Sequence, residues 1–107
     1  GYSYMGIGRD NGENKIVEAT MKALNNPLTE TGIENAKGVI FNIKGSEDIS
    51  LEDINKSVQL IGDKVSPDAN IIFGTVIDED LGDEVIVTVV ATGVEEKKEG
   101  KNDNKRI

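Results

Sequence analysis

Apolar residues are concentrated in the last third of the chain, in two runs separated by an acidic segment. The first run covers residues 70–77 and the second covers residues 84–93, and both are rich in Val and Ile. Short apolar runs with many β-branched residues are typical of buried strands. The pattern predicts two long strands, joined as a hairpin by Asp78 to Asp83, that belong to a sheet core and not to a catalytic site.

The start of the chain predicts a strand followed by a helix. Residues Tyr2 to Ile7 form a mixed stretch that ends at a glycine, which suits a first strand that stops at a turn. Asp10 stands three residues before Glu13, as in a capping box, and apolar residues then recur at helical spacing. The helix is predicted from about Glu13 to Leu24, before Asn25-Asn26-Pro27.

The middle of the chain repeats this order. Residues 28–36 are polar and predict an irregular connection, and residues 37–43 predict a short buried strand. Ser50 with Asp53 three residues later predicts a helix N-cap, and Ile49 and Ile54 suit a hydrophobic staple. The helix is predicted to end before Ser66-Pro67. Its apolar stripe, predicted to face the core, consists of Leu51, Ile54, Val58, Ile61 and Val65.

The predicted fold is α+β, with the order βαβαββ and a four-stranded mixed sheet that carries two helices on one face. Alternate strand residues project to opposite faces, so the apolar strands cannot direct every side chain at the helices. The other face is therefore expected to be apolar and to need a neighbour. The alternative is a moderately apolar open face, which natural sheets tolerate. Residues 95–107 are dominated by charge and are predicted to be disordered.

Composition excludes several classes of function. The 107 residues suffice for one domain, and they include no Cys and no His, which removes disulfides, thiolate nucleophiles and the commonest general base. The net charge of −8, together with only two Tyr and two Phe, argues against nucleic-acid partners. No apolar run approaches the roughly 20 residues of a membrane span. We expect a cytoplasmic protein that does not insert into membranes.

The chain resembles the C-terminal domain of the FtsZ family, the bacterial and archaeal tubulin homologues of cell division. The resemblance covers about residues 4–94 and rests on eight blocks in family order and spacing. These blocks are Met5-Gly6-Ile7-Gly8, Gly12-Glu13-Asn14, Asn26-Pro27-Leu28, Gly38-Val39 with Asn42-Ile43, Ser50-Leu51, Ile72 to Ile77, Asp83-Glu84, and Val87 to Gly93.

The resemblance implies the chorismate-mutase-like topology of the FtsZ and tubulin C-terminal domain. It also implies partners: a central helix that covers the open sheet face, the N-terminal nucleotide-binding domain beyond that helix, neighbouring FtsZ subunits in a protofilament, and division regulators. Residues 1–94 would form the domain, and residues 95–107 would begin the C-terminal linker. The family acts in the cytoplasm, at the division ring.

The chain lacks the family's GGGTGTG-type phosphate loop and its Asn-x-Asp-Phe-x-Asp catalytic loop. By the resemblance, the intact parent is a GTPase that uses GTP and Mg²⁺. We expect this sequence to be a domain fragment that needs no cofactor, has no catalytic or nucleotide-binding residue of its own, and does not hydrolyse GTP alone. Its role in the parent would be to position the catalytic loop against GTP held by the next subunit.

The resemblance also assigns candidate site residues. Positions matching Asn42, Val76, Thr88 and Val90 line the cleft between this domain and the central helix, where benzamide-type division inhibitors bind. From the residues alone, Asn42 inside an apolar strand is a hydrogen-bonded core amide, because an unpaired buried amide costs about 1 to 3 kcal/mol.

The resemblance further places one end of the domain at the longitudinal contact between subunits. The residues concerned surround the start of the second helix and are Ser46, Glu47, Asp48, Glu52 and Asp53. From the residues alone, the helix dipole explains these acidic side chains, since each gains about 0.3 to 1 kcal/mol at a helix N-terminus.

Other features suggest weaker alternatives. The acidic residues 78–84 lack the ligand spacing of a calcium loop, so we predict a solvated turn and no metal site. Gly6-Ile7-Gly8 lacks the third glycine of a dinucleotide loop, because Asn11 stands there. The competing function is a free-standing chorismate-mutase-like enzyme or ligand-binding domain, in which Arg9, lysines or carboxylates would carry the chemistry. A binding module that captures a regulator on the open face is compatible with the FtsZ hypothesis.

Overall fold

The computed structural model describes residues 2–25, 32–46 and 49–94. Residues 32–35 are helical, although the sequence predicts an irregular connection there. This short helical segment buries Ile33 completely in the core, and that burial stabilises the segment against the sheet. The main elements are β1 (Tyr2–Asp10), α1 (Lys15–Leu24), β2 (Gly38–Gly45), α2 (Leu51–Gly62), β3 (Asn70–Ile77), a 3₁₀ turn (Glu79–Leu81) and β4 (Val85–Val94). Residues 95–107, predicted to be disordered, lie outside the described residues.

The four strands form one mixed sheet in the order β1-β4-β2-β3. β4 is antiparallel to both β1 and β2, whereas β3 runs parallel to β2 and lies at the edge. The α+β class and the mixed sheet are confirmed, but the predicted β3–β4 hairpin is wrong. The connection between them contains a 3₁₀ turn and passes the end of β2, so the strand richest in valine takes an interior position.

Both α1 and α2 pack on the same face of the sheet and share one core with it. Phe41, Ile43, Val87 and Val89 are fully buried there. The remaining apolar members of the core come from α1, the segment 32–36, β2, α2 and β4; they are Ile16, Ala19, Ala23, Leu24, Ile33, Ala36, Val39, Ile54, Ile61, Val85 and Ala91. The arrangement of two helices on one face is confirmed for the part of the chain that the structure describes.

The start of α1 differs from the prediction. β1 does not stop at a glycine turn but continues to Asp10, which pairs with Val85 of β4. Gly8 lies inside this strand. A glycine is needed there because a Cβ would stand 1.9 Å from the carbonyl oxygen of Ala19. Asp10 is thus in the sheet, and the N-cap is Asn14, in a left-handed conformation and without a side-chain cap hydrogen bond. The Asp10–Glu13 capping box is wrong.

The start of α2 follows the prediction at its cap and departs from it one residue later. The Ser50 hydroxyl accepts a hydrogen bond from the Asp53 backbone N–H at 3.3 Å, as predicted for an N-cap. Ile54 and Ile61 are buried, but Leu51 is 72% exposed, so its place in the core stripe is wrong. Ser57 is buried instead, one turn beyond Ile54, because the core-facing stripe is rotated away from Leu51.

Candidate functional site

The sheet face opposite the helices is formed by every second residue of each strand. The strand register places these residues in rows that cross the sheet in the order β1, β4, β2, β3. The three rows are Met5–Val90–Ile40–Ile72, Ile7–Thr88–Asn42–Gly74 and Arg9–Ile86–Lys44–Val76. We call this surface the open face.

The open face carries a continuous apolar patch. Its exposed large side chains are Met5 (59%), Ile7 (54%), Ile40 (41%), Ile72 (62%) and Val76 (45%). Val90 and Ile86 lie between them and are half-buried. Scattered exposed apolar residues are ordinary, but a patch that spans four adjacent strands is typical of an interaction surface. The apolar second face expected from strand alternation is confirmed, and no described residue covers it.

The four predicted cleft residues all lie on the open face. Asn42 pairs with Thr88, Val90 pairs with Ile40 in the next row, and Val76 pairs with Lys44 on the other side. Asn42, Thr88 and Val90 are half-buried and Val76 is exposed. The structure therefore places the four on one face of the sheet, on three adjacent strands.

Asn42 is not a core amide. Its side chain is on the open face, and a Cβ added at Gly74 would lie 3.4 Å from its Nδ2 atom. The amide thus extends over the neighbouring strand at the one position of the row where no side chain competes for the space. The core-amide prediction is wrong because the alternation of β2 directs Phe41 and Ile43 inward and Asn42 outward.

β1 contributes Met5 and Ile7 to the open face, and sequence reasoning missed both. They are next to Val90 and Thr88 because β4 lies between β1 and β2. Met5 and Ile7 alternate with Gly6 and Gly8, and this pattern predicts that the two large side chains lie on the same face of a strand. Which strand would lie beside them could not be derived from that alternation.

The acidic connection between β3 and β4 is bound to its surroundings. The Asp83 carboxylate accepts hydrogen bonds from the Gly12 backbone N–H at 2.6 Å and from Lys15 Nζ at 3.1 Å. Lys15 is largely buried and also donates to the Asp83 carbonyl oxygen at 2.9 Å. The Ser46 hydroxyl donates to the Gly82 carbonyl oxygen at 2.6 Å. The Asp83 side chain remains 60% exposed, in agreement with the predicted solvated turn, and it also joins the β1–α1 loop to this connection.

We call the end of the domain that holds these loops the lower end. The starts of α1 and α2 and Asp83 enclose a depression there of about 510 Å³. Glu52 and Asp53, two of the residues assigned to the subunit contact by the resemblance, line it, and Ser46 lies beside it through its bond to Gly82. Leu51 lies exposed at the same end. Glu47 and Asp48 lie outside the described residues.

Two further searches cover only the described part of the chain. No group of three or more Asp, Glu, His or Cys residues there could hold a metal ion. No described helix has the length and apolar character needed to cross a membrane.

Two solved structures of low sequence identity share the fold of this domain. TubZ of Bacillus thuringiensis serovar israelensis, solved as GDP-form protofilaments, shares the fold at a TM-score of 0.67 and 13% identity, over 88% of this chain and 26% of that one. GDP-bound CetZ1 from Haloferax volcanii does so at a TM-score of 0.71 and 19% identity, over 89% of this chain and 30% of that one.

The family is defined by closer matches. The model of the FtsZ family C-terminal domain matches residues 1–95. An FtsZ mutant of M. jannaschii is 38% identical, with a TM-score of 0.77, over 86% of this chain and 28% of that one. An empty FtsZ dimer of M. jannaschii is 37% identical, with a TM-score of 0.76, over 85% of this chain and 26% of that one. The chain belongs to the FtsZ family and corresponds to its C-terminal domain; it spans less than a third of the length of these FtsZ chains.

Proposed function

We propose that this domain forms the lower longitudinal face of a head-to-tail FtsZ protofilament and orients the parent's catalytic loop toward GTP held by the next subunit. Its open face would pack against the central helix of the parent, which connects it to the nucleotide-binding domain. The apolar open face is the single observation that carries the proposal. A domain complete in itself has no need for five exposed large apolar side chains on one sheet face.

The open face has the shape and chemistry for a helix. Ile7, Ile40, Ile72 and Val76 present an apolar surface four strands wide, and Asn42 and Thr88 place two polar groups in its middle row. An apolar cleft with few polar groups is the usual form of a small-molecule site between domains. Asn42, Val76, Thr88 and Val90 would therefore line the domain's half of an interdomain cleft.

The lower end supplies the contact to the neighbouring subunit. Leu51 is exposed at the first residue of α2, beside Glu52 and Asp53. The hydrogen bonds of Asp83 and Ser46 hold the surrounding loops in place. An exposed apolar anchor with a charged rim is the common anatomy of a protein interface. Contact between this end and a different surface of the next subunit is heterologous and yields filaments.

The domain's contribution to GTP hydrolysis would be orientation. We assign no chemical step through GTP or Mg²⁺ to the residues of this domain. In the proposal, both ligands are held by the rest of the parent. Division regulators would act on the same surfaces, in the cytoplasm and at the division ring.

Capping of filaments tests the longitudinal contact. The isolated chain holds only one of the two complementary faces, so it should shorten filaments of a full-length FtsZ with the same C-terminal domain sequence, as measured by electron microscopy and light scattering. Leu51→Glu should abolish shortening because it places a charge in the apolar contact. Met21→Glu, at a similarly exposed apolar position on α1, is the matched control and should still shorten filaments.

Unchanged filament length with the unaltered chain would contradict the proposal, and so would equal effects of the two variants. Sedimentation of the chain alone distinguishes the competing enzyme hypothesis. A chorismate-mutase-like enzyme would form its active sites at trimer interfaces, so a discrete trimer favours that hypothesis, whereas a monomer or a domain-swapped species favours the proposal made here.

A further inference from the structure

β3 is exposed on both faces as well as along its outer edge. The seven apolar strand residues of the buried core all belong to β2 and β4, and β3 itself has no buried residue. Its even-numbered residues Ile72 and Val76 lie on the open face, but Phe73 and Ile77 project to the helix side and are still 42% and 53% exposed. A central helix on the open face would leave these two side chains uncovered, so the proposed function does not account for them.

The outer edge of β3 offers a row of backbone hydrogen-bonding groups. The Asn70 N–H donates to the Lys37 carbonyl oxygen and the Asp78 N–H to the Gly45 carbonyl oxygen. In the parallel register, even-numbered residues of β3 thus bond to β2. The N–H and C=O groups of Ile71, Phe73, Thr75 and Ile77 therefore point away from the sheet, and no described element pairs with them.

The two edges of the sheet differ in how they are protected. β1, the other edge, has an irregularity between Tyr2 and Tyr4 and carries Arg9 and Asp10. Bulges, charges and proline are the devices by which proteins discourage pairing at an edge. β3 has an unbroken register and contains no charged residue and no proline. It is the edge suited to receive another strand.

The charges that flank β3 indicate which kind of strand could pair with its outer edge. From residue 65 to residue 96 the chain contains no Lys or Arg. Asp68 precedes β3, and Glu79 and Asp80 follow it, all three exposed. An antiparallel pair of two β3 strands would bring the acidic flanks of one copy onto those of the other, which disfavours a second copy. An extended segment with basic flanks would meet an acidic group at each end.

We propose that the outer edge of β3 docks an extended peptide of a partner protein, with apolar or β-branched residues in its centre and Lys or Arg at both ends. The peptide would add a fifth strand next to β3, with main-chain hydrogen bonds to Ile71, Phe73, Thr75 and Ile77. Its side chains on the helix side would cover Phe73 and Ile77. This edge lies outside the open face, and its acidic flank at Glu79 and Asp80 belongs to the connection at the lower end.

A synthetic peptide tests the proposal with the 107-residue chain. The peptide has about ten residues, alternating Val and Thr in the centre and two basic residues at each end, a length typical of paired strands. We expect saturable binding by fluorescence anisotropy that weakens as salt is raised, because the flanking charges are exposed. The same peptide with alternate backbone nitrogens methylated cannot pair and should not bind.

Two substitutions at Thr75 separate backbone pairing from charge. Its N–H points outward, so Thr75→Pro removes an edge donor while sparing the bonds to β2, and should weaken binding at least about tenfold. Thr75→Lys should weaken binding of the basic peptide, whereas Thr75→Glu should retain or strengthen it. Circular dichroism checks the fold of each variant, and Thr75→Val is the neutral control.

Three results would overturn the proposal. One is the absence of binding by the unmethylated peptide. Another is binding that survives both methylation of the peptide and Thr75→Pro. The third is concentration-dependent dimerisation of the chain alone that Thr75→Pro abolishes, since it would identify a second copy as the occupant of the edge.

Discussion

The two faces of β4 carry almost the same kinds of residue and have different surroundings. Val85, Val87, Val89 and Ala91 are fully buried beneath the helices. The alternate residues of the same strand, which include Ile86 and Val90, remain half-buried on the open face. Apolar composition therefore does not measure burial here, because burial depends on what lies above each face. Covering the open face would still remove apolar surface from water, which is favourable, whereas the helix-side face is already buried.

The helix-side face of the sheet is also more closely packed than the open face. On the helix side, α1 approaches β1 so closely that a Cβ at Gly8 would overlap the Ala19 carbonyl oxygen. On the open face, a Cβ at Gly74 would meet the side chain of Asn42 at an ordinary contact distance of 3.4 Å. The helix-side face should tolerate very little change of shape, and the open face should tolerate much more.

Truncation of neighbouring residues on β2 should give the largest contrast. Phe41 is fully buried, so Phe41→Ala should lower the free energy of unfolding by about 3 to 5 kcal/mol through lost contacts and a cavity. Ile40, one residue earlier, faces the other side and is 41% exposed. Ile40→Ala should cost about 1 kcal/mol or less. Urea denaturation followed by circular dichroism measures both. Equal losses would mean that the open face is covered in solution.

Added methyl groups at two glycines should give the next contrast. Gly8→Ala should destabilise the chain by about 1 to 3 kcal/mol, because the backbone of α1 must move away from β1. Gly74→Ala should change stability by no more than about 0.5 kcal/mol, since only the Asn42 side chain has to adjust. Thermal unfolding of the two variants compares them under one set of conditions. If Gly8→Ala proved neutral, the close approach of α1 to β1 would be wrong.

The sequence predicts the elements well because their patterns are local. The predicted limits of β3, residues 70–77, are those observed, and the Ser50 cap follows from a hydrogen bond within four residues. Strand order is not local. Nothing in the valine-rich sequence of β4 indicates that it pairs with β1 and β2 and not with β3, so the hairpin prediction failed.

The candidate site also has features that follow from local sequence patterns and features that depend on non-local contacts. The resemblance supplied Asn42, Val76, Thr88 and Val90, and the alternation of their strands suffices to place them on one face once the register is known. Tertiary contacts between distant residues had no local signal. The Lys15–Asp83 pair joins residues 68 positions apart, and its formation decides that the acidic connection is bound at Asp83.

Polar substitution on the open face should have the smallest effect on stability and a specific effect on surface character. The double variant Ile72→Thr, Val76→Thr replaces two exposed side chains with a residue of good strand propensity. We expect the free energy of unfolding to change by no more than about 0.5 kcal/mol. Binding of an apolar fluorescent dye to the folded chain should decrease, because the continuous patch is interrupted.

Met21→Gln is the matched control for the dye measurement. Met21 is 51% exposed, comparable with Val76, but it lies on α1 and away from the open face. Its replacement should leave most of the dye signal, since it removes one exposed side chain and does not divide a patch of several strands. A larger decrease for Met21→Gln than for the double variant would place the main apolar surface on the helices. In that case the open face could not be the surface that draws a covering helix onto the domain.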